Sequence, residues 1–115
     1  MSLKIYGLKK CTTCQKALAH FDDSGVAYRF TDVKEVGVTD EQVRGWMAAL
    51  GGWEKLVNRA GYTWRGLPEE ARSGLDDAKA ARLVVAHPSL IRRPLIEAGS
   101  SVTVGFSEKV RSGLG

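Results

Sequence analysis

Between Leu3 and Val33 the sequence changes periodicity twice, and this alternation restricts the possible folds more than any other feature of the chain. Residues 3 to 7, LKIYG, are a short, mostly apolar run that ends at a glycine, as a buried strand does. In the following TTCQKALAHFDDSG, residues Cys14, Ala17, Leu18 and Phe21 fall at i, i+3, i+4 and i+7. That spacing predicts a helix with one apolar stripe, and Gly25 is its expected stop. Residues 26 to 33, VAYRFTDV, are rich in β-branched and aromatic side chains and predict a second strand. Strand, helix and strand within about 30 residues make a βαβ unit.

The middle third carries helical signals only. Thr39 and Gln42 have capping-box spacing, Val43, Trp46, Met47 and Leu50 continue at helical intervals, and Gly51-Gly52 ends the run. A short helix is expected around Trp53 to Asn58, another from Pro68 to about Arg72, and a third capped by Asp76 or Asp77 that Pro88 stops. Strand patterns then return at Pro94 to Glu97 and Val102 to Gly105, with a turn at Gly99-Ser100 between them and Ser107 capping a last helix, SEKVRSGL. The predicted order is βαβ, a helical insert over about residues 37–88, then ββα. At 115 residues this is expected to be one domain, able to bury roughly two-thirds of its unfolded surface without staples.

The net charge of +4 is spread over lysines and arginines interleaved with acids, a pattern that argues against a nucleic-acid-binding face and leaves room for a small anionic ligand. No signal segment and no membrane-length apolar run is visible, so a cytoplasmic location is expected. Structural disulfides are rare in that compartment. The pair Cys11 and Cys14, the only cysteines, therefore needs another explanation.

Zinc would need about four ligands. The other candidates, His20 and His87, are isolated from each other, so no metal site is expected. Core packing accounts for Cys14, which shares the stripe of Ala17, Leu18 and Phe21, but not for Cys11 in the turn before the helix. Redox chemistry accounts for both. A cysteine at a helix N-terminus meets unpaired amides and the positive end of the helix dipole, which favour thiolate, and Lys9, Lys10 and Lys16 are expected to add to this. Cys14 lies one turn along, within about 6 Å, where it can attack a mixed disulfide on Cys11.

Two further segments stand out. In LIRRPL, residues 90 to 95, the two adjacent arginines read either as a solvated charge pair, the commoner case, or as a fork for an oxyanion, and a cis X-Pro bond facing an active site is one reason for a proline to enter a strand. In NRAGYTWRG, residues 58 to 66, the expectation is a basic connection between helices, with Tyr62 and Trp64 packed back on the core.

Together YGLKKCTTCQKA, LVNRAGYTWRGL, HPSLIRRPL and GFSEKV resemble, in order and spacing, the arsenate reductase (ArsC)/Spx family of thioredoxin-like proteins. The resemblance covers essentially the whole chain. It implies an α/β fold with a thioredoxin-like core (βαβ…ββα) and an inserted all-helical subdomain. It makes Cys11 the nucleophile, Cys14 a possible resolving thiol, Arg93 the arginine over the anion or thiolate, Pro94 the cis-proline and Arg59 a second active-site arginine. Lys10 and Thr12 join Arg59, Arg93 and Pro94 as substrate- or anion-binding candidates. Gly105 stands where arsenate reductases of this type carry an arginine, which turns the expectation away from arsenate. GFSE and NRAGYTWR are similar to the YffB-like branch, which implies a thiol reductase acting on a disulfide or small anionic substrate, with glutathione or glutaredoxin as thiol partner and no bound cofactor. The C-T-T-C motif is instead close to that of Spx regulators, which implies a redox-sensing alternative that binds the RNA polymerase α-subunit. Glutaredoxin-coupled arsenate reduction is the third expectation.

Overall fold

The structure, a computed structural model, describes residues 2–113. It divides into two compact units, one of Met1–Val36 with Arg93–Gly115 and one of Gly37–Arg92.

The first unit holds a four-stranded sheet in the order β2-β1-β3-β4, formed by β1 (Leu3–Gly7), β2 (Tyr28–Asp32), β3 (Leu95–Ala98) and β4 (Ser101–Val104). β1 pairs parallel with β2 through the crossover helix α1 (Thr12–Asp23) and antiparallel with β3, placing Tyr6 opposite Leu95 and Lys4 opposite Glu97. β3 turns back into β4 at Gly99, whose positive φ suits the tight turn. Alternation along β1 buries Leu3, Ile5 and Gly7 and leaves Lys4 exposed. Leu3 and Ile5 pack with Ala17 and Phe21 of α1 and Ile96 of β3 in one cluster, with Leu18, Tyr28, Phe30 and Phe106 against it. Each such large side chain is worth about 1.5–3 kcal/mol when fully buried. The fold is α/β, and its βαβ and ββα segments about one four-stranded sheet form the thioredoxin-like core that the resemblance implies.

The second strand is shorter than expected. Val33 leaves it to begin a helical turn, α2 (Val33–Val36), because the Asp32 carboxylate accepts the Lys34 and Glu35 amides at 2.9 and 3.1 Å and so caps that turn. Ser107 caps α8 (Glu108–Gly113) by accepting the Val110 amide at 3.3 Å; Leu114, the last residue of the expected helix, lies outside the described residues.

The second unit contains α3 (Asp40–Leu50), α4 (Trp53–Leu56), α5 (Tyr62–Arg65), α6 (Glu69–Arg72) and α7 (Asp77–Ala86), then a 3-10 turn, Pro88–Leu90. The expected capping box is complete, with Gln42 N–H to Thr39 Oγ1 at 3.1 Å and Thr39 N–H to Gln42 Oε1 at 2.9 Å. Asp76 caps α7 through the Lys79 amide at 2.8 Å, while Asp77 accepts the Trp53 amide at 3.1 Å and holds the start of α4. The unit is not wholly helical. α4 stops at Leu56 because Val57 forms an antiparallel bridge with Ile91, which carries the unit on to Arg92 rather than ending near residue 88. Residues 58 to 66 also differ from expectation: Tyr62 is 89% exposed and carries the Arg65 guanidinium 4.9 Å from its ring centre, so it does not pack on the core. Trp64 stacks on Trp53 instead, with ring centres 6.5 Å apart.

Candidate active site

β1 ends at Gly7, and a turn closed by the Cys11 N–H on the Leu8 carbonyl (3.1 Å) delivers the chain to the N-cap of α1, which is Cys11 itself. Cys14 lies in the first turn of α1 and is 1% exposed. A methyl carbon on Gly7 would stand 2.5 Å from the Cys14 sulfur, so the strand must end in a residue without a side chain for the helix to seat. Neither cysteine is in a disulfide.

The two thiols occupy opposite environments. Partial burial pushes the Cys11 thiol up, but the Cys14 amide, the Cys14 thiol, the Arg93 guanidinium and the Thr13 amide outweigh it and hold Cys11 below its ordinary value. The Cys11 side chain forms no strict capping hydrogen bond, so the two amides act mainly as oriented dipoles. Burial pushes Cys14 up to about 12. The Leu8 backbone opposes this, a hydrogen bond to Cys11 and its charge reinforce it, and the Arg93 charge opposes it. Cys14 thus holds its proton and shares it with Cys11.

Arg93 reaches this pair from the start of the second half of the sheet unit. It precedes Pro94 through a cis peptide bond, and the buried Pro94 accepts the Gly105 N–H at 3.0 Å through its carbonyl. Gly105 has φ +81, with nothing within 4 Å of where a Cβ would sit, so its backbone favours glycine. The expected lysine contribution takes another form. Lys9 pairs with Glu35 at 2.7 Å rather than with sulfur, and the cation beside Cys11 is Arg93. Lys10 and Thr12 are exposed. Lys10 lines a cleft of about 340 Å³ with Leu8, Lys9, Asp32, Lys34 and Glu35.

The sheet unit therefore brings together Cys11, Cys14, Arg93 and Pro94. Arg59 belongs to the helical unit, where its guanidinium sits 5.4 Å from the Trp53 ring centre. Sequence reasoning missed three residues that hold the loop before Cys11. Asp32 accepts the Lys9 N–H at 3.0 Å, the Gln15 side chain donates to the Lys9 carbonyl at 3.0 Å, and Glu35 holds the Lys9 ammonium. The Lys9 amide, foremost, holds the Asp32 carboxyl below its usual range, with the Glu35 and Lys34 amides adding to it against some burial. The missed signal was D-V-K-E, a capping pattern hidden at the end of a strand-like run. Among the described residues no group of three or more His, Cys, Asp or Glu could hold a metal ion. No described helix is long and apolar enough to cross a membrane.

Residues 6–112 match the model of the ArsC family. A YffB protein of known structure is 42% identical and superposes with a TM-score of 0.92, covering 97% of each chain. An arsenate reductase (ArsC) related protein from Brucella melitensis is 40% identical, with a TM-score of 0.77 over 98% of this chain and 93% of that one. An uncharacterized protein of Haemophilus influenzae is 33% identical over 107 residues, 93% of each chain.

Proposed function

Because the chain belongs to the ArsC family, we propose that this arsenate reductase-like protein is a thiol–disulfide oxidoreductase with Cys11 as its attacking thiolate. The observation that carries the reading is the asymmetry of the pair, Cys11 held low at the helix N-terminus beside Arg93 and Cys14 held high beneath it. The Cys11 thiolate attacks one sulfur of a substrate disulfide. A Cys11–substrate mixed disulfide forms, and the other sulfur leaves as a thiolate that takes a proton from water. Arg93 balances the negative charge on the attacking sulfur. In the second step a thiolate attacks the mixed disulfide and returns Cys11 to its starting state.

Buried Cys14, protonated up to about 12, is a poor nucleophile at neutral pH. An outside thiol, glutathione or a glutaredoxin, therefore resolves the adduct, and Cys14 serves mainly as a hydrogen-bond donor to Cys11. Turnover of a mixed-disulfide substrate with glutathione tests this. Cys11→Ser abolishes turnover, whereas Cys14→Ser retains most of it; a dead Cys14→Ser variant that still folds makes Cys14 the resolving thiol. Redox-dependent binding to the RNA polymerase α-subunit without any turnover would replace the enzyme reading with a regulatory one.

A further inference from the structure

The helical unit holds a second cavity of about 340 Å³, lined by Glu54, Val57, Asn58, Arg59, Ala60 and Arg92. Its two arginines come from separate segments that the backbone ties together. Val57 bridges Ile91, the Asn58 N–H donates to the Leu90 carbonyl at 2.7 Å, and the Arg92 N–H donates to the Leu56 carbonyl at 2.8 Å. Asn58 is fixed as well, since its Oδ1 accepts the Ala60 N–H at 3.1 Å and its Nδ2 lies 2.9 Å from where a Gly61 methyl would be. Arg59 rests on Trp53, 5.4 Å from the ring centre, and Trp53 is stacked on Trp64. Stacking occupies the face of a guanidinium and leaves the donors on its edge available.

Among the described residues no carboxylate forms an ion pair with Arg59 or Arg92. Both line the same space as Glu54 and as Asn58, whose side-chain amide is held by the Ala60 N–H. A simple anion would gain from the arginines and be repelled by Glu54; a ligand carrying both signs a few ångströms apart gains from all three. We propose that this cavity binds an α-amino carboxylate head group, with the carboxylate between Arg59 and Arg92 and the ammonium on Glu54. Two sources present this group, a free amino acid and the γ-glutamyl end of a glutathione-type thiol. Only the second source rests on the function proposed above. All three charged side chains are exposed, so each pairing is worth little alone and binding is expected at about millimolar strength.

The test is an NMR titration of the full chain, following the Trp53 indole N–H, with L-glutamate, S-methylglutathione and glutarate as probes. Saturable shifts are expected with glutamate, with S-methylglutathione, or with both, and which of them binds identifies the source. Arg92→Ala should weaken binding about fivefold, the size of a modest charged pairing. Glu54→Gln should weaken the amino acid probes and strengthen glutarate, which loses a repelling charge. S-methylglutathione has no thiol, so failure of the Cys11 chemistry leaves this result standing. No shift with any probe, equal binding by Arg92→Ala, or glutarate binding more tightly than glutamate overturns the proposal.

Discussion

Gly7 and Cys14 are in such close register that a single methyl group on the glycine would stand 2.5 Å from the cysteine sulfur. Gly7→Ala should therefore cost about 1–3 kcal/mol by overpacking, seen as a lower urea midpoint. The cost is specific to that sulfur, because the next neighbours, Phe30 and the Cys14 Cβ, are at 3.5 and 3.6 Å. The double variant Gly7→Ala, Cys14→Ala should be little less stable than Cys14→Ala alone. Additive losses would mean that the backbone, not the sulfur, sets the constraint.

The Cys11 thiolate should appear at lower pH than that of an ordinary cysteine, whose value is 9.0. The rate of alkylation against pH measures this. Arg93→Ala and Cys14→Ala should each move the midpoint upward, since each removes a group that favours the thiolate. An unchanged midpoint in Arg93→Ala would leave the helix terminus as the sole activating influence.

Cys14 has the opposite linkage. Its folded-state value is raised, so its contribution is fully present below the unfolded value of 9.0 and is lost as pH rises toward about 12. Chemical denaturation at increasing pH should show stability falling through that window by up to about 1.4 kcal/mol per pH unit, beyond any change seen in Cys14→Ala.

Asp32 fastens the loop that leads to Cys11. Asp32→Ala removes a helix cap and the support of the Lys9 amide, and should cost about 0.5–2 kcal/mol by the usual scale of caps. Its folded value is depressed, so its contribution is present above the ordinary carboxylate value and is lost as pH falls through the folded one. The penalty of Asp32→Ala should accordingly shrink in strong acid. A mobile loop should also slow Cys11 alkylation at fixed pH.

Gly105→Arg places an arginine where arsenate reductases of this type have one, but at a backbone with φ +81. The left-handed conformation should cost roughly 1–2 kcal/mol. No arsenate turnover is expected to accompany the loss. Turnover in the variant together with native stability would show that the segment adopts another backbone when it carries a side chain.

The parts of this design visible in the sequence are those set by neighbours along the chain. The bounds of β1, the stripe of α1 and the Thr39–Gln42 box all depend on residues within one or two turns, and all are found where expected. Asp32 was hidden because the strand-like residues before it masked a cap, a contest between two local signals. The exposure of Tyr62 was hidden for another reason. An aromatic ring in a basic loop reads as an anchor, yet here its partner is Arg65 from its own helical turn and the ring stays exposed. Within the site, the position of the two cysteines followed from the helix start. The replacement of the neighbouring lysines by Arg93 did not, because Glu35 competes for Lys9 and lies far from it in the chain.

The first βαβ segment contains both cysteines, while Arg93 and β3 follow only after the whole helical unit. On the ribosome, Cys11 is thus made long before the cation that helps to ionise it. The Thr13 and Cys14 amides come from the same segment as the nucleophile, whereas the Arg93 guanidinium reaches it only once β3 docks against β1. The groups that hold the Cys11 thiol low thus come from both ends of the sheet unit, and its full activation requires that unit to be complete.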